Sequence, residues 1–234
     1  MDDIIIRGGL VVDGSGEPGF RADVAVKDGR IRAIGDLSGE KAARELDASG
    51  LVVAPGFFDA HCHSDTTFLL DSSGAAKLYQ GVTTEVCGQC GFSPFPALPE
   101  HLAEVDPGEG VDQSWYCASF RDFAKKVEDG GWQMGVNLAP LTGHGSLRAG
   151  VLGYANRAVT DEELRSMQEL LRQDLEAGVW GLSLGLEYSP GCFADQKEFA
   201  ALGRVLKEYD AFLPAHLRNE GEKLPQAIDE LLSV

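Results

Sequence analysis

The sequence is short of positive charge. It contains 20 lysine and arginine residues against 37 aspartate and glutamate residues, a formal net charge of −17 at pH 7. Because proteins bind the phosphates of nucleic acids mainly through Lys and Arg, this balance argues against a nucleic-acid partner. The acidic charge by itself identifies no other partner.

Long apolar runs are also missing. No stretch approaches the roughly 18 consecutive apolar residues of a membrane-spanning helix, which argues against a membrane partner. The opening MDDIIIRGG carries acids where a secretory signal needs positive charge, and its apolar run is short. We therefore expect the cytoplasm as the compartment.

The cysteines do not have the pattern of a disulfide framework. There are five of them, an odd number without regular spacing, so a set of structural disulfides is not expected. With 234 residues, the chain is nevertheless long enough to bury a sizeable hydrophobic core.

The first part of the chain, residues 1–55, reads as short β-strands. Runs of β-branched residues in DIIIRGGLVVDG and ADVAVKDGRIRAIG are separated by glycine-containing turn signals. Asp28-Gly29 is placed to form the turn of a hairpin. This pattern predicts a small β-rich domain.

From residue 56 to 234 the pattern changes to strands that alternate with helices. The clearest helix follows Thr160, which has Glu163 three residues later as a capping box, and it is expected to end at Gly178. Alternation of this length predicts parallel strands joined by helical crossovers.

A doubly wound sheet and a (β/α)8 barrel both fit this alternation. The nucleotide-binding GxGxxG signature of the doubly wound sheet is missing after the first strand. Polar residues collect just after the predicted strands, as in barrel enzymes, so we favour the barrel. A barrel needs eight units and about 250 residues, and this segment has room for roughly five, which favours a partial barrel from a longer chain.

The segment APGFFDAHCHSD contains two histidines that flank one residue, His61 and His63. On an extended segment, side chains at positions i and i+2 point to the same face. Two imidazoles at a strand end are half of a plausible metal site, although a pair of exposed loop histidines is the simpler interpretation. The apolar residues before the pair favour the metal.

Cys87 and Cys90 form a CxxC pair without the second pair of a zinc ribbon. We expect Cys87 to end a strand and pack in the core, as buried cysteines commonly do. Cys90 lies in the glycine-rich loop CGQCG and could turn its sulfur toward the two histidines as a zinc ligand. From the residues alone, a ligand and a merely structural cysteine are equally good interpretations.

Two further histidines follow predicted strands or loops. His216, in PAHLRNE, would be interpreted as structural if it stood alone. Because His61, His63 and Cys90 also lie at strand ends, His216 becomes a candidate for the third corner of the metal site. His144, in GHGSLR, is expected to organise a loop.

Several segments together resemble the amidohydrolase superfamily, and more narrowly the N-acyl-D-amino-acid deacylases. The HxH after PGFFD is specific to the superfamily, whereas the cysteine loop, GHGSLR and GLEYSPG are specific to the deacylases. The segments that carry the resemblance are DGSGEPGFRADVAVKDGRIRAIG, VVAPGFFDAHCHSD, GVTTEVCGQCGFSP, NLAPLTGHGSLR, GLSLGLEYSPG and PAHLRNEG.

The resemblance implies a zinc-bearing (β/α)8 domain, with residues 1–55 as the N-terminal half of a small β-sandwich. Carried over by position, it implies the zinc ligands His61, His63, Cys90 and His216. Gln89 stands where the family usually has Asn, which leaves the thiolate in place. The family's next histidine ligand, its general-base aspartate and its carboxylate-binding arginine would lie beyond Val234.

The implied reaction is zinc-dependent hydrolysis of the amide bond of an N-acyl-D-amino acid, a small-molecule substrate. Tyr188 is our choice for a substrate-contacting residue, with a packing role as the alternative. A dihydroorotase-like hydrolase of cyclic amides is less favoured, because it would use a carboxylated lysine at a strand end. We expect no lysine at the end of a strand in residues 56–234, because the lysines there fall in predicted helical stretches: Lys77, Lys125, Lys126, Lys197, Lys207 and Lys223. A non-catalytic truncated product is the remaining alternative.

Overall fold

A computed structural model describes residues 1–101 and 111–234, which form two compact units, Met1–Gly56 and Phe57–Val234. The first unit is a five-stranded sheet. Its strands are β1 (Asp2–Val11), β2 (Phe20–Lys27), β3 (Arg30–Gly35), β4 (Ala42–Asp47) and β5 (Val52–Val53).

The sheet of the first unit has the order β3-β2-β1-β4, with β5 also paired to β1. β1 is antiparallel to β2 and parallel to β4 and β5. The predicted hairpin is confirmed: Asp28 and Gly29 join β2 to β3 with φ angles of 51° and 70°, the left-handed values that a two-residue hairpin turn requires.

The second unit alternates strands and helices, as predicted. Its strands are β6 (Phe57–Asp59), β7 (Val82–Cys87), β8 (Asn137–Pro140), β9 (Thr142–Gly143), β10 (Leu182–Gly185) and β11 (Ala215–His216). Its helices are α1 (Ala75–Leu78), α2 (Phe120–Asp129), α3 (His144–Leu152), α4 (Asp161–Glu176), α5 (Gln196–Glu208) and α6 (Leu224–Leu232). Short 3-10 turns occupy Thr67–Leu69, Gln113–Trp115 and Gly191–Phe193.

The strands of the second unit are parallel and follow the order of the chain. One sheet runs β6-β7-β8 and another β9-β10-β11. Only Leu141 separates β8 from β9, and the amide of Trp180 donates to the oxygen of Pro140 (2.9 Å) beside the junction. The predicted parallel α/β arrangement is therefore confirmed, and the described strands do not close into a ring.

The strongest helix prediction is also confirmed. Thr160 caps α4, and it forms a complete capping box with Glu163. The helix ends before Gly178, whose φ of 112° is unfavourable for other residues. The apolar side chains of α3, α4 and α5 share one core with β10, and its most buried members are Leu147, Met167, Leu171, Leu182, Leu184, Leu186, Leu202 and Val205.

One local prediction differs from the structure. His144 does not organise a loop but begins α3, and its side chain is completely buried. Helix α1 is only a single turn. Among the described residues, no helix combines the length and the apolar character needed to cross a membrane.

Candidate metal centre

The HxH segment follows the short edge strand β6. The rings of His61 and His63 lie edge to face with centroids 5.4 Å apart, and both residues are exposed. Cys62 between them is buried, and its amide donates to the oxygen of Val86 (3.2 Å) in β7. The alternation expected of an extended segment is therefore present: the two imidazoles share one side and the thiol packs on the other.

Charged groups at the end of β6 hold this segment in place. The amide of His61 donates to Oδ1 of Asp59 (3.2 Å), and the Asp59 carboxylate also contacts the ammonium of Lys77. This cation holds the pKa of Asp59 below its usual value. Lys77 lies 3.0 Å from the buried Glu85 as well, and Glu85 accepts a hydrogen bond from Ser64 (2.5 Å), which follows His63.

Cys90 brings its sulfur to the same place from the loop after β7. Its Sγ lies 3.3 Å from Nε2 of His61, and the residue is 7% exposed. Its φ of 55° is left-handed, which is uncommon for a residue other than glycine. The flanking glycines, Gly88 and Gly91, also have positive φ, so the backbone of the whole loop is tightly turned.

The cysteine loop is held by β10. Ser183 is completely buried, its hydroxyl donates to the oxygen of Gly88, and it accepts a hydrogen bond from the amide of Gly91 (3.0 Å). A Cβ on Gly185 would stand 1.8 Å from the main-chain oxygen of Cys90. The position of the sulfur therefore depends on a strand that lies more than ninety residues away in sequence.

His216 approaches Cys90 from the end of β11. Its Nδ1 lies 3.7 Å from Sγ of Cys90, and its Nε2 lies 3.0 Å from Oε2 of Glu187. The main-chain oxygen of His216 accepts a hydrogen bond from the amide of Leu186 (3.0 Å), which fixes the register of β11 against β10. The imidazole is 18% exposed.

The structure thus brings together all four residues that the sequence indicated. The donor atoms of His61, His63 and Cys90 all lie within 4.8 Å of one another, and His216 adjoins them through Cys90. Imidazole nitrogen and thiolate sulfur are the donors that structural and catalytic zinc sites use. Their assignment as ligands stays a prediction.

The electrostatics of the cluster favour a neutral His63. Desolvation lowers the pKa of His63, and the neighbouring His61 and His216 lower it further. A neutral imidazole is the form that binds a metal. Burial raises the pKa of the Cys90 thiol, and the charge of Glu220 raises it further. A cation bound beside the sulfur would lower the pKa of this thiol.

Tyr188 lies at the rim of this cluster. Its hydroxyl is 3.3 Å from Nδ1 of His216, and its ring packs on Phe92 with centroids 5.6 Å apart. Tyr188 is 37% exposed. Phe92 also lines an adjacent, mainly apolar cavity of about 320 Å³. The role of Tyr188 as a substrate contact stays a prediction.

The sequence did not identify the polar group behind the cysteine loop. Glu198 on α5 is completely buried; it accepts from Nε2 of His144 (2.8 Å) and forms an ion pair with the buried Arg148. The amide of Ser146 on the same helix donates to the oxygen of Gly91 (3.1 Å). Helix α3 therefore connects this buried ion pair to the loop that carries Cys90. In the sequence, this buried group was indicated only by the GHGSLR segment, which contains His144 and Arg148.

The sequence matches known proteins along nearly its whole length. It is 38% identical over 237 residues to D-aminoacylase of Alcaligenes xylosoxydans xylosoxydans, covering 99% of this chain and 48% of that protein. It is 40% identical over 238 residues to the N-acyl-D-glutamate deacylase of the same organism, covering 99% of this chain and 47% of that protein.

A solved structure resembles the fold closely. It is the N-acyl-D-glutamate deacylase of Bordetella bronchiseptica, complexed with zinc and a phosphonate inhibitor that mimics the tetrahedral intermediate. The TM-score is 0.90 at 38% identity, covering 99% of this chain and 48% of that one.

The chain belongs to the amidohydrolase family, whose sequence pattern matches residues 44–219. The matched segment includes all four clustered residues, His61, His63, Cys90 and His216. The chain spans about half the length of the curated relatives it matches.

Proposed function

We propose that this chain is part of a zinc-dependent enzyme that hydrolyses the amide bond of N-acyl-D-amino acids. The observation that carries the proposal is that the donor atoms of His61, His63 and Cys90 lie within 4.8 Å of one another. Cys90 comes from a different segment of the chain than the two histidines. The relatives named D-aminoacylase and N-acyl-D-glutamate deacylase supply the substrate class.

The donor set fits zinc. Two imidazoles, a thiol and the adjoining His216 offer nitrogen and sulfur, which zinc prefers to the all-oxygen surroundings of Mg²⁺ or Ca²⁺. His61 and His63 are exposed and His216 is half-buried, so solvent reaches the cluster.

We also propose that residues 56–234 are the first part of a (β/α)8 barrel, with about five of its units, and that residues 1–55 are N-terminal strands of a small β-sandwich. The support is the parallel order of strands from β6 to β11, which follows the order of the chain. In such a barrel the polar groups at the carboxyl ends of the strands form the active site.

The chemistry divides between the bound metal and the side chains. Zinc would act as a Lewis acid and lower the pKa of a bound water toward about 7. His61, His63, Cys90 and His216 would hold it. We propose that the Tyr188 hydroxyl, which lies 3.3 Å from Nδ1 of His216, donates a hydrogen bond to the substrate. The family resemblance implies an aspartate as the general base.

Substrate assays on the full-length protein, of which we propose this chain is the first part, test the reaction. We expect hydrolysis of N-acetyl-D-methionine, little hydrolysis of its L-enantiomer and none of dihydroorotate, with loss of activity on chelation and recovery on addition of zinc. Hydrolysis of dihydroorotate in preference to the acyl amino acid would replace this proposal with the cyclic-amide alternative. No hydrolysis of either, by folded zinc-loaded protein, would refute it.

A further inference from the structure

The two ring nitrogens of His216 face different groups. Nδ1 is directed toward the cluster, 3.7 Å from Sγ of Cys90. Nε2 is directed away from it and lies 3.0 Å from a carboxylate oxygen of Glu187. The ring thus stands between the proposed metal site and one acidic side chain.

A carboxylate in this position selects one tautomer of the imidazole. A neutral imidazole carries one N–H donor and one acceptor nitrogen, whereas an ionised carboxylate only accepts hydrogen bonds. The contact with Glu187 therefore requires the hydrogen on Nε2. Nδ1 is then the unprotonated nitrogen, and its lone pair lies on the side of Cys90.

The other polar neighbours of His216 do not make the same choice. Oε1 of Glu220 lies 3.6 Å from Nε2, outside hydrogen-bond distance. The hydroxyl of Tyr188 lies 3.3 Å from Nδ1 and 3.5 Å from Nε2, and a hydroxyl can donate or accept. Glu187 is thus the described neighbour that fixes the hydrogen position.

The fold sets the position of Glu187 next to His216. Glu187 is the second residue after the end of β10, and His216 is the last residue of β11. The hydrogen bond from the amide of Leu186 to the oxygen of His216 aligns the two strand ends, so that the side chain of the following residue lies beside the imidazole. The pairing of β10 with β11 therefore sets this spatial relationship.

We propose that Glu187 is a positioning residue for the metal site: it holds His216 as the Nε2–H tautomer, with Nδ1 available as a ligand. The inference rests on the proposed metal site. Hydrogen bonds of this kind orient metal-binding histidines and raise their basicity, and their loss typically costs 10- to 100-fold in metal affinity.

Zinc affinity of the full-length protein, measured by competition with a chromophoric chelator, tests the proposal. We expect Glu187→Ala to weaken zinc binding about 10- to 100-fold. Glu187→Gln, whose amide oxygen can still accept from Nε2, should lie closer to wild type than to the alanine variant. Glu220→Ala is the matched control, because it removes a similarly exposed carboxylate that lies near the same nitrogen but outside hydrogen-bond distance. It should change the affinity by less than about threefold, well under the loss expected for Glu187→Ala.

The outcomes separate the two proposals. Wild-type protein that binds no zinc would overturn the proposed function. Wild type that binds zinc while Glu187→Ala binds it equally well would overturn the role of Glu187 alone. A glutamine variant as weak as the alanine variant would overturn the tautomer argument, since the acceptor would not be what matters.

Nitrogen NMR of the metal-free protein with ¹⁵N-labelled histidine supplies a second measurement, independent of zinc. His216 should show a protonated Nε2 and an unprotonated Nδ1 in wild type and in Glu220→Ala. Glu187→Ala should show a mixture of both tautomers. The same single tautomer in all three proteins would contradict the proposal.

Discussion

The main-chain oxygen of Cys90 lies directly against the Cα of Gly185, so close that a Cβ on this glycine would stand 1.8 Å away. The amide nitrogen of Gly185 is in turn 2.8 Å from where a Cβ of Gly91 would lie. The cysteine loop and β10 are therefore in contact through their backbones. The sulfur can reach His61 only because both positions lack a side chain.

Replacement of Gly185 by alanine tests this contact. The added methyl group must push the loop away, so we expect a loss of about 1–3 kcal/mol in the free energy of unfolding, measured by denaturant titration. Zinc affinity should fall as well, because Cys90 moves with the loop. Gly39→Ala is the control: Gly39 has open space around it, and the substitution should change stability by less than about 0.5 kcal/mol. Equal effects of the two substitutions would contradict the account.

The hydroxyl of Ser183 is expected to stabilise the same loop. Ser183→Ala leaves the buried oxygen of Gly88 and the amide of Gly91 without their partner. Unsatisfied buried groups cost about 1–3 kcal/mol, which should appear in the denaturant midpoint. Ser166→Ala, on the exposed face of α4, should change stability by less than about 0.5 kcal/mol. A Ser183 variant as stable as wild type would show that the two hydrogen bonds are dispensable.

Asp174 gives a prediction for pH dependence. Burial raises its pKa from 3.8 to about 6, against the opposing hydrogen bonds from the Phe120 amide (2.8 Å) and the Thr142 hydroxyl (2.9 Å). A carboxyl whose pKa is higher in the folded than in the unfolded state contributes its full stability only below the unfolded value. That contribution is lost as the pH rises through about 6.

Asp174→Asn removes this titration and keeps both hydrogen-bonding positions, since the amide oxygen can accept from Phe120 and the NH₂ can donate to Thr142. We expect the stability of wild type, relative to this variant, to fall by about 2 kcal/mol between pH 4 and pH 7. Denaturant titrations of both proteins at each pH measure the difference. Parallel pH profiles would mean that Asp174 is ionised normally in the folded protein.

The buried ion pair behind the cysteine loop gives a further prediction. Glu198→Gln removes the charge that compensates the buried Arg148 and that accepts from His144. Breaking a buried pair in this way costs about 3–5 kcal/mol. Glu169→Gln, on the exposed surface of α4, is the matched control and should be nearly neutral. If Glu198→Gln has an equally small effect on stability, Glu198 is not paired with Arg148 and His144 in the way described.

The parts of the site that could be predicted from sequence rest on local patterns. An extended HxH places two imidazoles on one face, and this is where the rings of His61 and His63 lie. The capping box of Thr160 and Glu163 and the turn at Asp28 are likewise determined by neighbouring residues, and the structure has both.

The parts that could not be predicted depend on contacts between distant segments. Nothing within GLSLGLEY indicates that Ser183 holds the cysteine loop, because the hydrogen bond joins residues 92 positions apart. Helix α3 was not predicted from the sequence, for a similar reason. Its first residue, His144, is stabilised by Glu198, which lies 54 residues later. Two glycines within α3 also weaken the helical signal of its sequence.

The zinc content of purified full-length protein, determined by elemental analysis in three forms, tests the central claim most directly. Wild type and Cys87→Ala should contain zinc, because Cys87 ends β7 as a buried packing residue. Cys90→Ala should lose most of it, because Sγ of Cys90 lies between His61 and His216. Unchanged zinc in folded Cys90→Ala protein would contradict the account.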